Sequence, residues 1–445
     1  MDEIRWYRSP SRQLLIIIKA GDLQVSYCIA TYRCYDEKTD FAKKAQGIAV
    51  GLTVGSWTEL PAAKKEQMSK HLGKVVQVDV HEGNPGGRYA DIQIAYPDVN
   101  YSGDIPALLV TVFGKLSMDG KIKLIDLHFS ETFMEGFDGP KFGIQGIREL
   151  LGVHDRPLLM SIFKSVIGYD LKELQTQFYE QAAGGVDLIK DDEILFENPL
   201  TPIEKRVAVC KEASERAKDT TGQHLLYAVN LTGPAFSLKD QAYKAIEAGA
   251  GAFLFNVLAY GFDVLHELSR DPNIPVPFMA HPSLSGALYP SQAYGIAAPV
   301  LLGKLMRLAG ADLVLFPSPY GSVVMPKEEN MAIKQALTTG QGKDYISGNT
   351  GDQSSEGAFL PLKPSIPVPS AGIYPGLVPL IMRDFGKEVV VNAGGGVHGH
   401  PMGAASGGRA FRQAIEAASR NIPLPDYAEN HPELRAAIEA WGVKQ

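Results

Sequence analysis

The feature that most constrains this fold is a recurrence in the last two thirds of the chain. From about residue 155, eight short apolar runs alternate with amphipathic stretches. The runs are PLLMSIFK (157–164), VDLIKDDE (186–193), HLLYAVNL (224–231) and AFLFNVLA (252–259), then VPFMAHPS (276–283), ADLVLFPS (311–318), SIPVPSAGI (365–373) and VVVNAGGG (389–396). They are continuous rather than alternating in polarity, as strands buried on both faces should be. Helical segments sit between most of them. DLKELQTQFYEQAAGG ends in glycines, a C-terminal cap signal. TPIEKRVAVCKEASERAKD opens with Thr201 and carries Glu204 three residues on, a capping-box pattern. SLKDQAYKAIEAGA and GGRAFRQAIEAASRN behave similarly. Eight strands alternating with helices over roughly 270 residues predict a (β/α)8 barrel. A doubly wound open sheet competes, but no GxGxxG follows the first strand.

Residues before the barrel pattern read differently. VSYCIATYRC, KVVQVDVHEG, RYADIQIAYP and KIKLIDLHFS have the period-two pattern of half-buried strands, and FAKKAQGIAVGL and AAKKEQMSKHL read as helices. The expected organisation is an extension over 1–24, which is an extra edge strand or a simple extension. An α+β domain of ferredoxin-like type follows over 25–140, then the barrel domain with a C-terminal helical tail over 141–445. The polar, Gly/Ser-rich stretch 338–357 reads as a mobile surface loop.

Net charge is −7, which argues against a dedicated nucleic-acid binder. Three cysteines without a CxxC pair give neither a disulfide framework nor a zinc site of that kind. The longest apolar run near the start, Leu14 to Ile18, is far short of the roughly 20 residues a membrane span needs. A cytoplasmic protein with no membrane partner is the expectation.

Chemistry concentrates at strand ends. GGVDLIKDDE (184–193) ends in Lys190, Asp191, Asp192 and Glu193. Alternation sends Lys190 and Asp192 the same way, and a turn can bring Glu193 in. Two carboxylates at one strand end suit a hard cation such as Mg²⁺; a solvated charge run in a βα loop is the plainer alternative. VNAGGGVHGHPMG (391–403) follows the eighth strand, where barrels often bind phosphate, and Gly372 in PSAGI can join it. A tight turn without a ligand is the alternative there. His398 and His400 lack a third ligand at known spacing, so a metal role is weakly signalled and a structural one favoured. His281 at the tip of strand five and Lys164 at the end of strand one stand where substrate contacts occur, or are ordinary rim residues.

Together these motifs resemble ribulose-bisphosphate carboxylase (RuBisCO) and its relatives. FDGPKFGIQGIRELL (137–151) is similar to the family's entry into the barrel, GGVDLIKDDE to its metal motif, and PSAGI and AGGGVHGHPMG to its phosphate loops. The resemblance covers about residues 28–440 and implies the RuBisCO large-subunit fold. It implies that Lys190, carbamylated by CO2, holds Mg²⁺ with Asp192 and Glu193. It further implies that Lys164, Lys190, Asp191, Asp192, Glu193, His281, Gly372, Gly394 and Gly395 contact substrate. Departures are informative. The loop after strand six, PSPYGSVVMPKEEN, has no lysine at its tip. Lys164 is followed by Ser165 and Val166 where a second lysine is expected, Pro282 follows His281 in place of an arginine, and Thr111 replaces an asparagine. Losing these groups removes carboxylation and leaves metal-assisted enolisation. The chain therefore resembles RuBisCO-like proteins, and within them the branch that enolises the 2,3-diketo-5-methylthiopentyl 1-phosphate of methionine salvage. GLTVGSWTELP, LLMSIFKSVIG, LFPSPYGSV and the TVFGKL stretch carry that likeness. In that branch the base is the lysine of TVFGKL, here Lys115. A homodimer is implied, with Lys115 and Trp57 of one subunit reaching the barrel of another. Two alternatives stand beside the enolase: a RuBisCO-like isomerase or decarboxylase acting on another sugar phosphate, and a non-catalytic regulatory protein.

Overall fold

The computed structural model describes residues 26–55, 64, 68–83, 86–339 and 362–444, with the backbone of two short strands before them. The extension's remaining residues, Trp57, residues 62, 63 and 65–67 of the helix expected over 62–72, and the loop 340–357 lie outside the described residues. Two compact units emerge: residues 1–137 with 284–305 and 340–361, and residues 138–283 with 306–339 and 362–445.

The first unit is a mainly antiparallel sheet. Its strands are β1 (Tyr7–Arg8), β2 (Leu14–Leu15), β3 (Tyr27–Tyr35), β4 (Lys74–His81), β5 (Tyr89–Pro97), β6 (Ile122–His128) and, from much later in the chain, β12 (Gly295–Ile296). Their order is β1-β2-β4-β5-β3-β6-β12. β3 is central, paired along its full length with β5 from Tyr27↔Pro97 to Tyr35↔Tyr89. The helix Phe41–Gly51 buries Phe41, Ala45, Ile48 and Ala49, and Asp40 caps its start by accepting the Ala42 and Lys43 amides. Residues 284–305, read from sequence as part of the barrel domain, join this unit: Gly295 and Ile296 pair in parallel with Lys123 and Leu124.

The second unit carries eight parallel strands: β7 (Leu158–Ile162), β8 (Leu188–Lys190), β9 (Leu226–Asn230), β10 (Ala252–Phe255), β11 (Phe278–Ala280), β13 (Leu313–Pro317), β14 (Ile366–Ser370) and β15 (Val390–Ala393). Each falls inside one of the eight apolar runs. They are ordered β14-β13-β11-β10-β9-β8-β7-β15, and β15 pairs back onto β7, so the sheet curls into the expected barrel. Asn392 Nδ2 donates to Ser370 Oγ at 2.8 Å, linking the last two strands. Helices such as Leu171–Ala182, Ile203–Thr221 and Ala404–Ser419 fill the crossovers.

Strand parity sets the interior. Leu158, Met160, Leu188, Ala228, Ala252, Leu254, Met279, Leu313, Leu315, Ile366, Val368 and Val390 form one core with Ile147 and Leu151 of the helix Gly143–Leu151, which plugs one end. Asp312, wholly buried, anchors that plug by accepting the Phe142, Gly143 and Phe278 amides at 2.7, 2.8 and 3.0 Å. The capping box expected at Thr201 is absent. Helix Ile203–Thr221 starts after Pro202, and Glu197 Oε2 accepts the Ile203 amide at 3.0 Å instead. The box forms one helix earlier, between Asp170 and Glu173. Among the described residues, no helix is long and apolar enough to cross a membrane.

Candidate active site

Side chains along a strand point alternately to opposite faces. Stepping by two from the core residues toward the C-terminal strand ends therefore names the inward residues. Leu188 leads to Lys190 and Asp192, Ala228 to Asn230, Leu254 to Asn256 and Met279 to His281. Met160 leads through Ile162 to Lys164, Val368 through Ser370 to Gly372, and Val390 through Asn392 to Gly394. One end of the barrel thus gathers most of the expected site residues.

The contacts bear this out for the charged group. Lys164 Nζ lies 2.8 Å from Asp192 Oδ2, Lys190 Nζ 3.6 Å from Glu193 Oε2, and His281 Nε2 3.5 Å from the same Glu193 oxygen. Lys190 is 1% exposed and also donates to its neighbour's carbonyl, Asp191 O, at 2.8 Å. Burial drives its ammonium down to about 8 against the pull of Glu193 and Asp192. Burial and the Lys190 charge hold His281 well below its ordinary value, so at neutral pH it is an uncharged imidazole. Its Nδ1 faces Ser283 Oγ at 2.8 Å. Burial pushes Glu193 up, but Lys190 and Lys164 outweigh it and hold the carboxyl below its usual range.

Asp191 is placed apart from this group. It has the opposite parity, and its fully buried carboxylate faces away from Lys190 and Asp192. It accepts Tyr227 O–H at 2.5 Å and the Asn230 amide at 2.8 Å, and Arg206 Nη2 stands 3.2 Å away. His398 and His400 are structural: their Nε2 atoms meet Ile162 O at 2.8 Å and Glu433 O at 2.9 Å. The glycine loops are close-built. A Cβ on Gly372 would meet Ser322 N at 2.5 Å, and one on Gly394 would meet Lys164 Cε at 3.0 Å, while Gly395 faces open space. Gly395 opens the short helix Gly395–His398, whose first amides lack intrahelical acceptors. Lys115 belongs to the first unit. It is exposed, follows the turn Val110–Gly114, and lines a cavity of about 480 Å³ with Lys44, Ile48, Leu52 and Met118.

Three further residues complete the strand-end group, of which Asn230 and Tyr227 were passed over in the sequence. Asn230 Nδ2 and Asn256 Nδ2 donate to Glu193 O at 3.0 and 3.3 Å, and Tyr227 holds Asp191 from behind. Parity would have found Asn230.

Among the described residues, no group of three or more His, Cys, Asp or Glu side chains is arranged to hold a metal. The donor set here is two carboxylates and a buried amine. An ammonium repels a cation, so the set suits Mg²⁺ only when Lys190 carries a carbamate and offers a third oxygen. The Asn256 Oδ1, buried beside the group without a partner, adds an unused oxygen.

The chain is similar to known proteins along most of its length. Residues 143–441 match the ribulose bisphosphate carboxylase large chain catalytic domain, and residues 23–133 its N-terminal domain. A 2,3-diketo-5-methylthiopentyl-1-phosphate enolase of Geobacillus thermodenitrificans is 53% identical over 427 residues, covering 94% of this chain and 99% of its own. The Bacillus licheniformis enolase of the same name is 53% identical over 418 residues, with 94% and 98% covered. In structure, a RuBisCO-like protein of Alicyclobacillus acidocaldarius aligns at TM-score 0.84 and 49% identity, covering 94% of this chain and 99% of that one. The dimeric archaeal RuBisCO of Hyperthermus butylicus aligns at 0.82 and 30% identity, covering 96% and 98%.

Proposed function

Because this chain belongs to the ribulose bisphosphate carboxylase large-chain family, as a RuBisCO-like protein, we propose that its barrel end carries out keto–enol chemistry and not carboxylation. It is the enolase of methionine salvage: it converts 2,3-diketo-5-methylthiopentyl 1-phosphate to 2-hydroxy-3-keto-5-methylthiopentenyl 1-phosphate. In class terms this is an isomerase. The observation that carries the reading is 53% identity, along 94% of the chain, to enolases of that name. The missing loop-six lysine supports it, because an enolate without that cation has nothing to steady added CO2.

Lys190 as carbamate, Asp192 and Glu193 would hold Mg²⁺. Bound there, the ion supplies Lewis acidity toward the two carbonyl oxygens of the substrate. Lys115 takes a proton from C1, C1 and C2 become doubly bonded, and the C2 oxygen is protonated, so atoms and charge balance. A lysine serves as base near neutral pH only when burial or neighbouring cations lower its pKa. Lys164 and the bound Mg²⁺ are the candidate cations it would meet. Lys164 contacts substrate from the Asp192 side, and His281, neutral, offers Nε2 as a hydrogen-bond partner. The amides of Gly372, Gly394 and Gly395 hold the phosphate. We place Lys115 at the barrel of a second copy, so the working unit is a homodimer with shared sites; the dimeric Hyperthermus relative supports this. The three cysteines are buried free thiols, which supports a reducing, cytoplasmic setting.

The test is an ultraviolet assay of enol formation, with the diketone made in place by the preceding dehydratase and Mg²⁺ and bicarbonate present. A rise in enol absorbance is expected. A folded, metal-loaded protein giving no signal sinks the enolase reading in favour of another sugar-phosphate reaction.

A further inference from the structure

Of the four consecutive ionisable residues Lys190 to Glu193, Asp191 alone turns its carboxylate out of the barrel. What meets it there is unusual. Arg206, from helix Ile203–Thr221, is wholly buried, and so is Asp191. Arg206 Nη1 donates to Thr201 O at 2.9 Å, but its Nε and Nη2 make no hydrogen bond, Nη2 facing Asp191 Oδ2 at 3.2 Å as an ion pair only. Tyr227 donates its hydroxyl to Asp191, with its ring edge-on against Phe163 and Phe178. As a stability device this is poor design: a buried ion pair rarely outperforms an apolar pair of the same volume, and an unfilled donor costs more. Its location suggests another use. Asp191 is the one residue between Lys190 and Asp192. Fixing its carboxylate outward fixes both neighbours inward, because successive strand side chains must oppose. Arg206 also cancels the Asp191 charge behind the strand, so the substrate end presents Lys190, Asp192 and Glu193 alone.

We propose that Arg206, acting through Asp191 together with Tyr227, is a positioning residue for the Mg²⁺ ligand set; this rests on the carbamate-metal reading above. No contact of Arg206 or Tyr227 with substrate is needed. Outer partners of this sort usually govern metal affinity by roughly ten- to a hundred-fold.

The experiment uses the full chain and the variants Arg206→Met, Arg206→Lys and Tyr227→Phe. Mg²⁺ binding is measured calorimetrically with bicarbonate present, the Lys190 carbamate by ¹³C NMR after ¹³CO2 loading, and inorganic phosphate affinity in parallel. Arg206→Met should weaken Mg²⁺ binding by roughly ten- to a hundred-fold. Arg206→Lys should recover part of that loss, because the charge returns without the planar fork. Tyr227→Phe should show a smaller loss in the same direction. Phosphate affinity should stay within about two-fold of wild type, since the glycine loops lie on other strands. If Arg206→Met does not fold, Tyr227→Phe decides, because it removes one hydroxyl and keeps the ring packed. Wild-type Mg²⁺ affinity in a folded variant overturns the proposal. So does a loss of phosphate binding in step with Mg²⁺, which marks general damage. Wild-type protein that takes up no Mg²⁺ with bicarbonate overturns the metal reading itself, and the positioning role with it.

Discussion

Substituting Gly372 by alanine tests the phosphate site most sharply. Gly372 sits at φ +69°, where an L-side chain costs roughly 1–2 kcal/mol. A Cβ there would stand 2.5 Å from Ser322 N, and ordinary contact begins at 3.4 Å. The obstructing atom is backbone, its N–H already directed at Ala371 O at 3.3 Å, so it cannot swing aside. About 0.9 Å must come from moving one loop off the other. An amide displaced that far from a phosphate oxygen no longer makes a hydrogen bond. Losing one such charge-assisted bond costs about 1.5–3 kcal/mol, which is roughly ten- to a hundred-fold in affinity. Gly103→Ala, outside the glycine loops, is the control: its Cβ meets nothing within 4 Å, so binding should change by about three-fold at most. The assay is KM for the diketo phosphate and competition by inorganic phosphate in both variants. If Gly372→Ala binds phosphate as well as wild type does, the two loops do not hold it.

Three further outcomes follow from the same structure. Lys115→Met should lower enolisation by roughly 10²–10⁴-fold while leaving Mg²⁺ uptake unchanged; a variant keeping a tenth of the rate removes Lys115 as the base. Carbamylation of Lys190 would start from the neutral amine. With its pKa near 8, about a tenth is neutral at pH 7, against about 0.03% for an ordinary lysine. Trapping of labelled CO2 in metal-free enzyme should rise about ten-fold from pH 6 to 7 and flatten above 8; a climb continuing past pH 9 contradicts the burial argument. Asp312→Ala strips two amide contacts from the barrel plug and one from β11, and should lose about 2–4 kcal/mol in urea unfolding; a loss below about 1 kcal/mol makes that anchor incidental.

Most of the scaffold was legible because buried parallel strands print continuous apolar runs: all eight, from Leu158–Ile162 to Val390–Ala393, lie inside the runs read from sequence. The strand-end group was legible for the same reason, since four ionisable residues at the end of such a run break its pattern. Other parts left no pattern to read. Gly295–Ile296 is a two-residue strand, too short to show a period, yet it recruits residues 284–305 to the first unit. The Thr201 capping box satisfied its motif, but the helix starts one residue later and Glu197 accepts the Ile203 amide there. Arg206 sits among other charged residues of one helix, and only the fold shows that it is buried. Asp191 entered the substrate list through the resemblance alone, whereas the strand's period of two sets it apart from Lys190 and Asp192. Asn230 was within reach of that same rule.

The most direct measurement starts from enzyme stripped of both CO2 and metal. It follows enol formation as bicarbonate and Mg²⁺ are restored singly and together. A site built on carbamylated Lys190 with Asp192 and Glu193 predicts activity only when both are present, with faster onset when CO2 precedes the metal. Equal activity in CO2-free buffer, or in excess chelator, would contradict it.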